Sequence, residues 1–228
     1  MAKHAVLVRL AAIFIAAPFI AWGFFALAGR WNWPAGWGCL VLLFVGGTAR
    51  DLLVWWKNPE LARRRVGTGK GTKRWDIACL SGFGILYVAT VVVGVLDGGR
   101  FAWSTMPAWL WPVGAALYLV SEVVITWSMT VNTHFEKTAR IQSDRGHSVV
   151  RSGPYAVIRH PGYLAAITGF NLATPLLLLS WWAFVPGLLS SAVIVARTAL
   201  EDRMLSAELP GYADYAREVR YRLVPGLW

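Results

Sequence analysis

The stretch YLAAITGFNLATPLLLLSWWAFVPGLLSSAVIVARTA, residues 163 to 199, carries no charged side chain before Arg197. A helix needs about 20 apolar residues to cross a bilayer core of roughly 30 Å, so this stretch is too long for one crossing. Pro175 and Pro186 interrupt it. The pattern predicts a hairpin of two helices, the first short or bent, turning between those prolines. Outward from it, further apolar runs extend from Ala5 to Ala28, Pro34 to Trp56, Trp75 to Leu96 and Pro107 to Val131. The first, broken only by Arg9, lacks a small-residue cleavage site before a polar mature chain and reads as a retained helix rather than a signal peptide. The composition agrees: 57% of residues are hydrophobic and 15% charged, where a soluble domain carries about 25% charged. The expected fold is all-α, a polytopic membrane helix bundle of five or six transmembrane helices.

Lys and Arg gather in short cytoplasmic loops, so their placement reads as orientation. Lys57 to Arg74 holds seven basic residues against the single acid Glu60, His134 to His160 holds five, and the tail beyond Ala196 five more. The alternate loops hold only Arg30 and Arg100. Both termini are therefore expected on the cytoplasmic side. The net charge of +10 belongs to these membrane flanks, where it meets anionic lipid, and nucleic acid is not an expected partner. Cys39 and Cys79 lie inside apolar runs without CxxC spacing and read as packing residues.

Polar chemistry is concentrated in a few places. Gly67, Gly69 and Gly71 resemble a phosphate cradle, but no strand precedes them and no Lys-Ser/Thr pair closes a Walker pattern, so a flexible lipid-facing basic loop is expected. Asn58-Pro59-Glu60 reads as the start of a short helix. His134, His147 and His160 fit no ligand spacing on one helix, and no metal is expected. In GPYAVIRHP, residues 153 to 161, Gly153-Pro154 forces a turn and Pro161 suits the first position of a helix. The free N–H groups of that helix end, with Arg159 and His160, would make an anion site. An interfacial aromatic and basic belt explains the same residues equally well. Glu201 and Asp202 point about 100° apart on a helix, so one is able to enter a cavity while the other stays wet. Glu201 is equally placed for a pair with Arg197 one turn earlier. Tyr212, Tyr215 and Tyr221, among Arg217, Arg220 and Arg222, suggest a segment folding back under the bundle. Glu122, Arg50 and Asp51 are charges inside spans, where pairing or function is the default reading.

The run RGHSVVRSGPYAVIRHPGY (145 to 163), the acidic pair at 201 and 202, and GYADYAREVRYRLVPGLW (211 to 228) together resemble the isoprenylcysteine carboxyl methyltransferase family, related to membrane phospholipid N-methyltransferases. The resemblance covers residues 132 to 228, with NPELARRR (58 to 65) weakly similar to bacterial members. It implies a membrane methyltransferase using S-adenosylmethionine, with a cofactor pocket at the cytoplasmic side of a bacterial inner membrane, built by the C-terminal half. Residues 1–131 would then supply transmembrane helices and a basic loop, and 132–228 the catalytic region. By position, Arg159, His160, Pro161, Tyr163, Glu201 and Asp202 would line the cofactor pocket, and Gln142, His147, Val149, Gly153 and Tyr155 the wall leading to it. Glu201, Arg220 and Arg222 would act at the reaction centre. Eukaryotic members carry a carboxylate-binding arginine shortly after the equivalent of Tyr215, a place held here by Glu218, so a shifted arginine would take that part. The implied partner is a lipophilic small molecule or lipid. Its carboxylate is the expected methyl acceptor, with lipid N-methylation, a sterol-type NADPH-dependent reductase and a non-catalytic membrane protein as the alternatives.

Overall fold

The computed structural model describes residues 2–64 and 71–228, all of them helix, turn or loop. Gly67 and Gly69 lie outside the described residues. α1 (Ala2–Ala28), α2 (Pro34–Lys57), α4 (Arg74–Gly94), α5 (Leu110–Val131) and α8 (Phe184–Glu208) are the long helices; α3 (Pro59–Arg64) is one short turn-and-a-half after α2. Asn58 starts α3 as expected, its side-chain Oδ1 accepting the Leu61 N–H at 3.3 Å, with Pro59 in the first turn. Among the described residues four helices are long and apolar enough to cross a membrane: Pro34–Lys57, Leu110–Val131, Phe184–Glu208, and α4 with the wider π turn that prolongs it to Phe101.

The expected hairpin is present. Its first arm runs through α6 (Pro161–Ala166), a π segment (Ile167–Leu172) and α7 (Ala173–Leu177), and is shorter than a full perpendicular span. The chain reverses at Leu178–Ala183, between the two prolines, and returns as α8.

The packing is inside-out relative to a soluble protein. Phe19, Trp22, Ile85, Val123 and Leu188 are exposed, while Asp76, Thr90, Asp97, Asn171 and Thr198 are fully buried. Lipid solvates the outer apolar face, so helices associate through small residues and internal hydrogen bonds. Gly187 shows the first device: a Cβ there would lie 2.6 Å from the Asn171 carbonyl, so α8 approaches the π segment closely only because the position is glycine. Asp97 shows the second. Its carboxylate accepts the Ser104 N–H at 2.7 Å and the Ser180 hydroxyl at 2.6 Å, tying the loop after α4 to the hairpin turn. α4 packs along α8, while α5 lies between α2 and the first arm of the hairpin. Near the other end of α4 and α8 the bundle opens into a cavity.

Candidate active site

The cavity has a volume of about 430 Å³, within the usual range for small-molecule sites. Its lining divides by chain segment. Leu80 and Phe83 of α4, Ile125 of α5, Phe170 of the π segment and Ile194 of α8 form an apolar lobe. Residues of the 132–160 loop, with Tyr212 and Tyr215 of the short helix α9 (Tyr212–Glu218), form a polar lobe. Glu201, Tyr163 and Arg197 line the cavity between them.

The loop is held in shape by its own polar groups. Gln142 is buried; its amide donates to the His134 carbonyl at 2.8 Å, and its backbone N–H donates to His147 Nδ1 at 3.3 Å. The two imidazoles lie with centroids 4.5 Å apart, their planes tilted by 36°. Burial, reinforced by His134 and Arg140, lowers His147 to about 4, so at neutral pH it is an uncharged acceptor. His134 is lowered too, again chiefly by burial. Arg140 is clamped by Glu136 at 2.9 Å and Asp144 at 2.8 Å. Tyr155 is buried, its hydroxyl accepting from Asn132 at 3.0 Å, and burial raises its phenol well above the usual range. Among the described residues no group of three His, Cys, Asp or Glu side chains is arranged to hold a metal ion.

Asp202 organises the opposite wall. It is 4% exposed and accepts from Arg159 Nε at 2.8 Å, Arg159 Nη2 at 3.1 Å, Arg222 Nε at 2.8 Å and the Tyr212 hydroxyl at 2.9 Å. His160 Nε2 lies 3.3 Å away. Arg159 uses its last nitrogen, Nη1, on the carbonyls of Val219 at 2.7 Å and Arg220 at 2.9 Å. The backbone N–H groups of Arg159 and His160 donate to Tyr221 and Arg222 carbonyls at 2.9 Å each. The C-terminal segment does fold back under the bundle, and these bonds hold it there.

The structure therefore brings Gln142, His147, Val149, Tyr155, Arg159, His160, Tyr163 and Glu201 to one cavity, and leaves five expected residues outside its lining. Gly153 serves a turn at φ +62°, against Trp127. Pro161 begins α6 as expected, but the Tyr163 and Leu164 N–H groups are taken by the His160 carbonyl, so no free N–H pair awaits an anion there. Asp202 is neither in the cavity nor wet. Arg159 is bonded through every guanidinium nitrogen to Asp202 or to C-terminal carbonyls, so it braces the wall. Arg220 is exposed, and Arg222 is drawn to Asp202 and stacks on Trp228 at 5.0 Å, so neither lines the cavity. Glu218 pairs with Arg151 on the surface.

Glu201 does reach the lumen, where it accepts the Tyr163 hydroxyl. It does not take up the pair with Arg197. That arginine instead binds Asp76 Oδ1 at 2.7 Å and the Lys137 carbonyl at 2.8 Å, and its guanidinium lies over the Tyr163 ring at 5.0 Å. Asp76 also accepts the Ala139 N–H at 2.8 Å, fastening the loop to α4. Sequence reasoning missed Asp76, Arg140, Asn132 and the cavity-facing role of Arg197. The spacing of Arg197 and Glu201, one helical turn apart, was the available signal for the last.

Residues 114–207, which run from α5 through the loop and hairpin to the acidic pair, match the sequence model of the isoprenylcysteine carboxyl methyltransferase (ICMT) family. Over that stretch the chain is similar to this family. The solved structure of a eukaryotic intramembrane Ras methyltransferase, ICMT, is similar in fold: TM-score 0.50 at 16% identity, over 96% of this chain and 86% of that one. None of the curated proteins compared matches the chain significantly.

Proposed function

We propose that this protein transfers the methyl group of S-adenosylmethionine to the carboxylate of a lipophilic acceptor that enters from the bilayer. The observation that carries this reading is one cavity lined by apolar side chains of α4, α5 and α8, by the polar loop and by Glu201. Glu201 hydrogen-bonds Tyr163 and makes no ion pair within 4 Å among the described residues, so its carboxylate is open to a ligand cation. Such a lumen suits a cationic cofactor. The ammonium and sulfonium face a carboxylate, adenine finds the aromatic walls of Tyr155, Tyr212 and Tyr215, and the uncharged His147 and Gln142 offer ribose partners. When bound, the cofactor supplies a methyl group on an activated sulfur, so the chain needs no covalent nucleophile. Its own residues bind, orient and exclude water. The apolar lobe of Leu80, Phe83, Ile125, Phe170 and Ile194 suits the tail of an amphiphile. It also brings α4 and α5 into the site, so residues 1–131 supply more than a membrane anchor. The basic loops favour the cytoplasmic face of a bacterial inner membrane for the polar lobe.

Calorimetry in detergent with S-adenosylhomocysteine and with NADPH tests the cofactor; no binding of the former refutes the reading. Membranes incubated with methyl-labelled S-adenosylmethionine then test the acceptor. Label released by mild base identifies an ester, and base-stable label identifies N-methylation instead.

A further inference from the structure

Arg220 and Arg222 lie outside the cavity lining, and the segment that carries them has an outer surface that the site does not use. The depth of that surface follows from the helices beside it. α8 begins at Phe184, just after the Leu178–Ala183 reversal, where the exposed Trp181 and Trp182 mark one edge of the bilayer. At a rise of 1.5 Å per residue, Asp202 stands roughly 27 Å along α8, close to the opposite edge of a hydrocarbon core of about 30 Å. The tail is fastened at this level. Arg222 Nε binds Asp202 at 2.8 Å, and the Tyr221 and Arg222 carbonyls accept the Arg159 and His160 N–H groups at 2.9 Å each, where the first arm of the hairpin begins. Residues 219–228 therefore run along the headgroup layer.

What this segment exposes suits that layer. Val157, Tyr221, Val224 and Leu227 are exposed, Leu227 by 81%. The backbone beneath them is closed: the Trp228 backbone oxygen accepts the N–H groups of Arg222, Leu223 and Val224 at 3.0, 3.0 and 3.2 Å, and the Val224 carbonyl accepts those of Leu227 and Trp228 at 3.1 Å each. A segment with its N–H groups satisfied enters a poorly hydrated layer at little cost. The charge is one-sided as well. Glu208 pairs with Lys73, Asp214 with Arg217 and Glu218 with Arg151. Arg203 and Arg220 are exposed and make no ion pair among the described residues. Uncompensated cations with exposed apolar side chains are the pattern of an interfacial segment on anionic lipid.

We propose that residues 219–228 are a docking face for the anionic headgroups of the membrane the protein spans. Tyr221, Val224 and Leu227 enter the boundary between headgroups and acyl chains, and Arg203 and Arg220 meet lipid phosphates. The docked tail keeps α9 in place. α9 supplies Tyr212 and Tyr215 to the cavity, and Tyr215 donates its hydroxyl to the Tyr155 carbonyl at 2.7 Å, so lipid charge acts on the polar wall from outside it. None of this depends on which ligand the cavity takes.

The test uses the full chain with Cys39→Ala and Cys79→Ala, a spin label on Leu227→Cys, and two bilayers: phosphatidylcholine nanodiscs, and nanodiscs of equal parts phosphatidylcholine and phosphatidylglycerol. Relaxation by oxygen, which concentrates in the bilayer, is compared with relaxation by a water-soluble nickel chelate. Oxygen dominates in the phosphatidylglycerol discs, and the balance moves towards the chelate in phosphatidylcholine alone. Arg203→Gln and Arg220→Gln each lower the docked-to-undocked ratio about fivefold in the anionic discs, the equivalent of about 1 kcal/mol per surface arginine. A label relaxed mainly by the chelate in both bilayers overturns the proposal, because the tail then faces water. An oxygen-dominated label indifferent to phosphatidylglycerol and to both substitutions overturns the anionic partner. Shielding from both reagents with spin–spin broadening shows a second copy on this face and overturns the lipid. Trypsin cleavage after Arg220 in the unmodified chain gives an independent reading: protection that appears only with phosphatidylglycerol supports docking, and equal cleavage in both discs overturns it.

Discussion

Neutralising Asp202 should loosen the C-terminal segment from the bundle. The perturbation is Asp202→Asn, which keeps size and removes one negative charge. In the native wall Oδ1 accepts from Arg159 Nε and the Tyr212 hydroxyl, and Oδ2 accepts from Arg159 Nη2 and Arg222 Nε. An asparagine has one oxygen and one NH₂. Whichever way it turns, the NH₂ meets at least one arginine N–H, and two guanidinium groups lose their shared counter-charge. Removing one partner of a buried ion pair costs about 3–5 kcal/mol because the charge left behind is uncompensated. For a chain of this size, 1 kcal/mol moves the melting temperature by about 2–4 °C, so a fall of about 6–20 °C is expected. Thermal unfolding in detergent measures it, and limited proteolysis locates it. Cleavage should concentrate between residues 209 and 228, since the carbonyls of 219 to 222 are held by Arg159 and its neighbour. A variant that melts within about 2 °C of wild type and protects its C-terminus refutes the staple.

Three further outcomes are expected. Glu201→Gln preserves an acceptor for the Tyr163 hydroxyl but removes the luminal charge, so calorimetry should show S-adenosylhomocysteine binding weakened more than tenfold, about 1.4 kcal/mol, at an unchanged melting temperature. His147 is held near 4 in the folded chain and returns to about 6.5 when unfolded, so the unfolded state binds the extra proton between those values. Its contribution is therefore complete above pH 6.5 and lost as pH falls towards 4, by about 1–2 kcal/mol once solvent screening at this half-buried site is allowed for; His147→Gln should flatten that part of a stability–pH profile, and an unaltered profile refutes the assignment. Arg50 binds Glu122 at 2.7 Å between α2 and α5, so Glu122→Leu alone should cost about 3 kcal/mol and Arg50→Met with Glu122→Leu much less, which a double-mutant cycle on melting measures.

What the sequence made legible follows from what each signal depends on. Apolar run length needs no partner, so α2, α5 and the hairpin can be placed from residues alone, and the proline-marked reversal at Leu178–Ala183 with them. Pro161 and Asn58-Pro59 are likewise local devices, and both start the helices expected of them. Interior polar partnerships are different in kind. Asp76 and Arg197 stand 121 residues apart and their pairing exists only because α4 lies along α8, so neither residue announces the other. Arg50 and Glu122 were the exception because two isolated charges inside apolar spans have few other ways to be stabilised.

The acidic pair shows where motif reading stops. Adjacent helical residues point about 100° apart, and this alone gives Glu201 and Asp202 different surroundings. It leaves open what stands on each side. A bare helix would leave Asp202 wet; here the tail covers that face, and the covering is itself built on Asp202 through Arg159, Arg222 and Tyr212. Two of the three arginines that sequence reasoning offered to an acceptor or a cofactor are thereby spent on the wall, and the residue read as an ordinary helix-surface partner, Arg197, lines the cavity instead. Residue type placed basic chemistry in this region of the chain, but the partners each guanidinium finds decide which arginine braces the wall. Those partners depend on a tail closing over a helix, which no spacing rule within either segment contains.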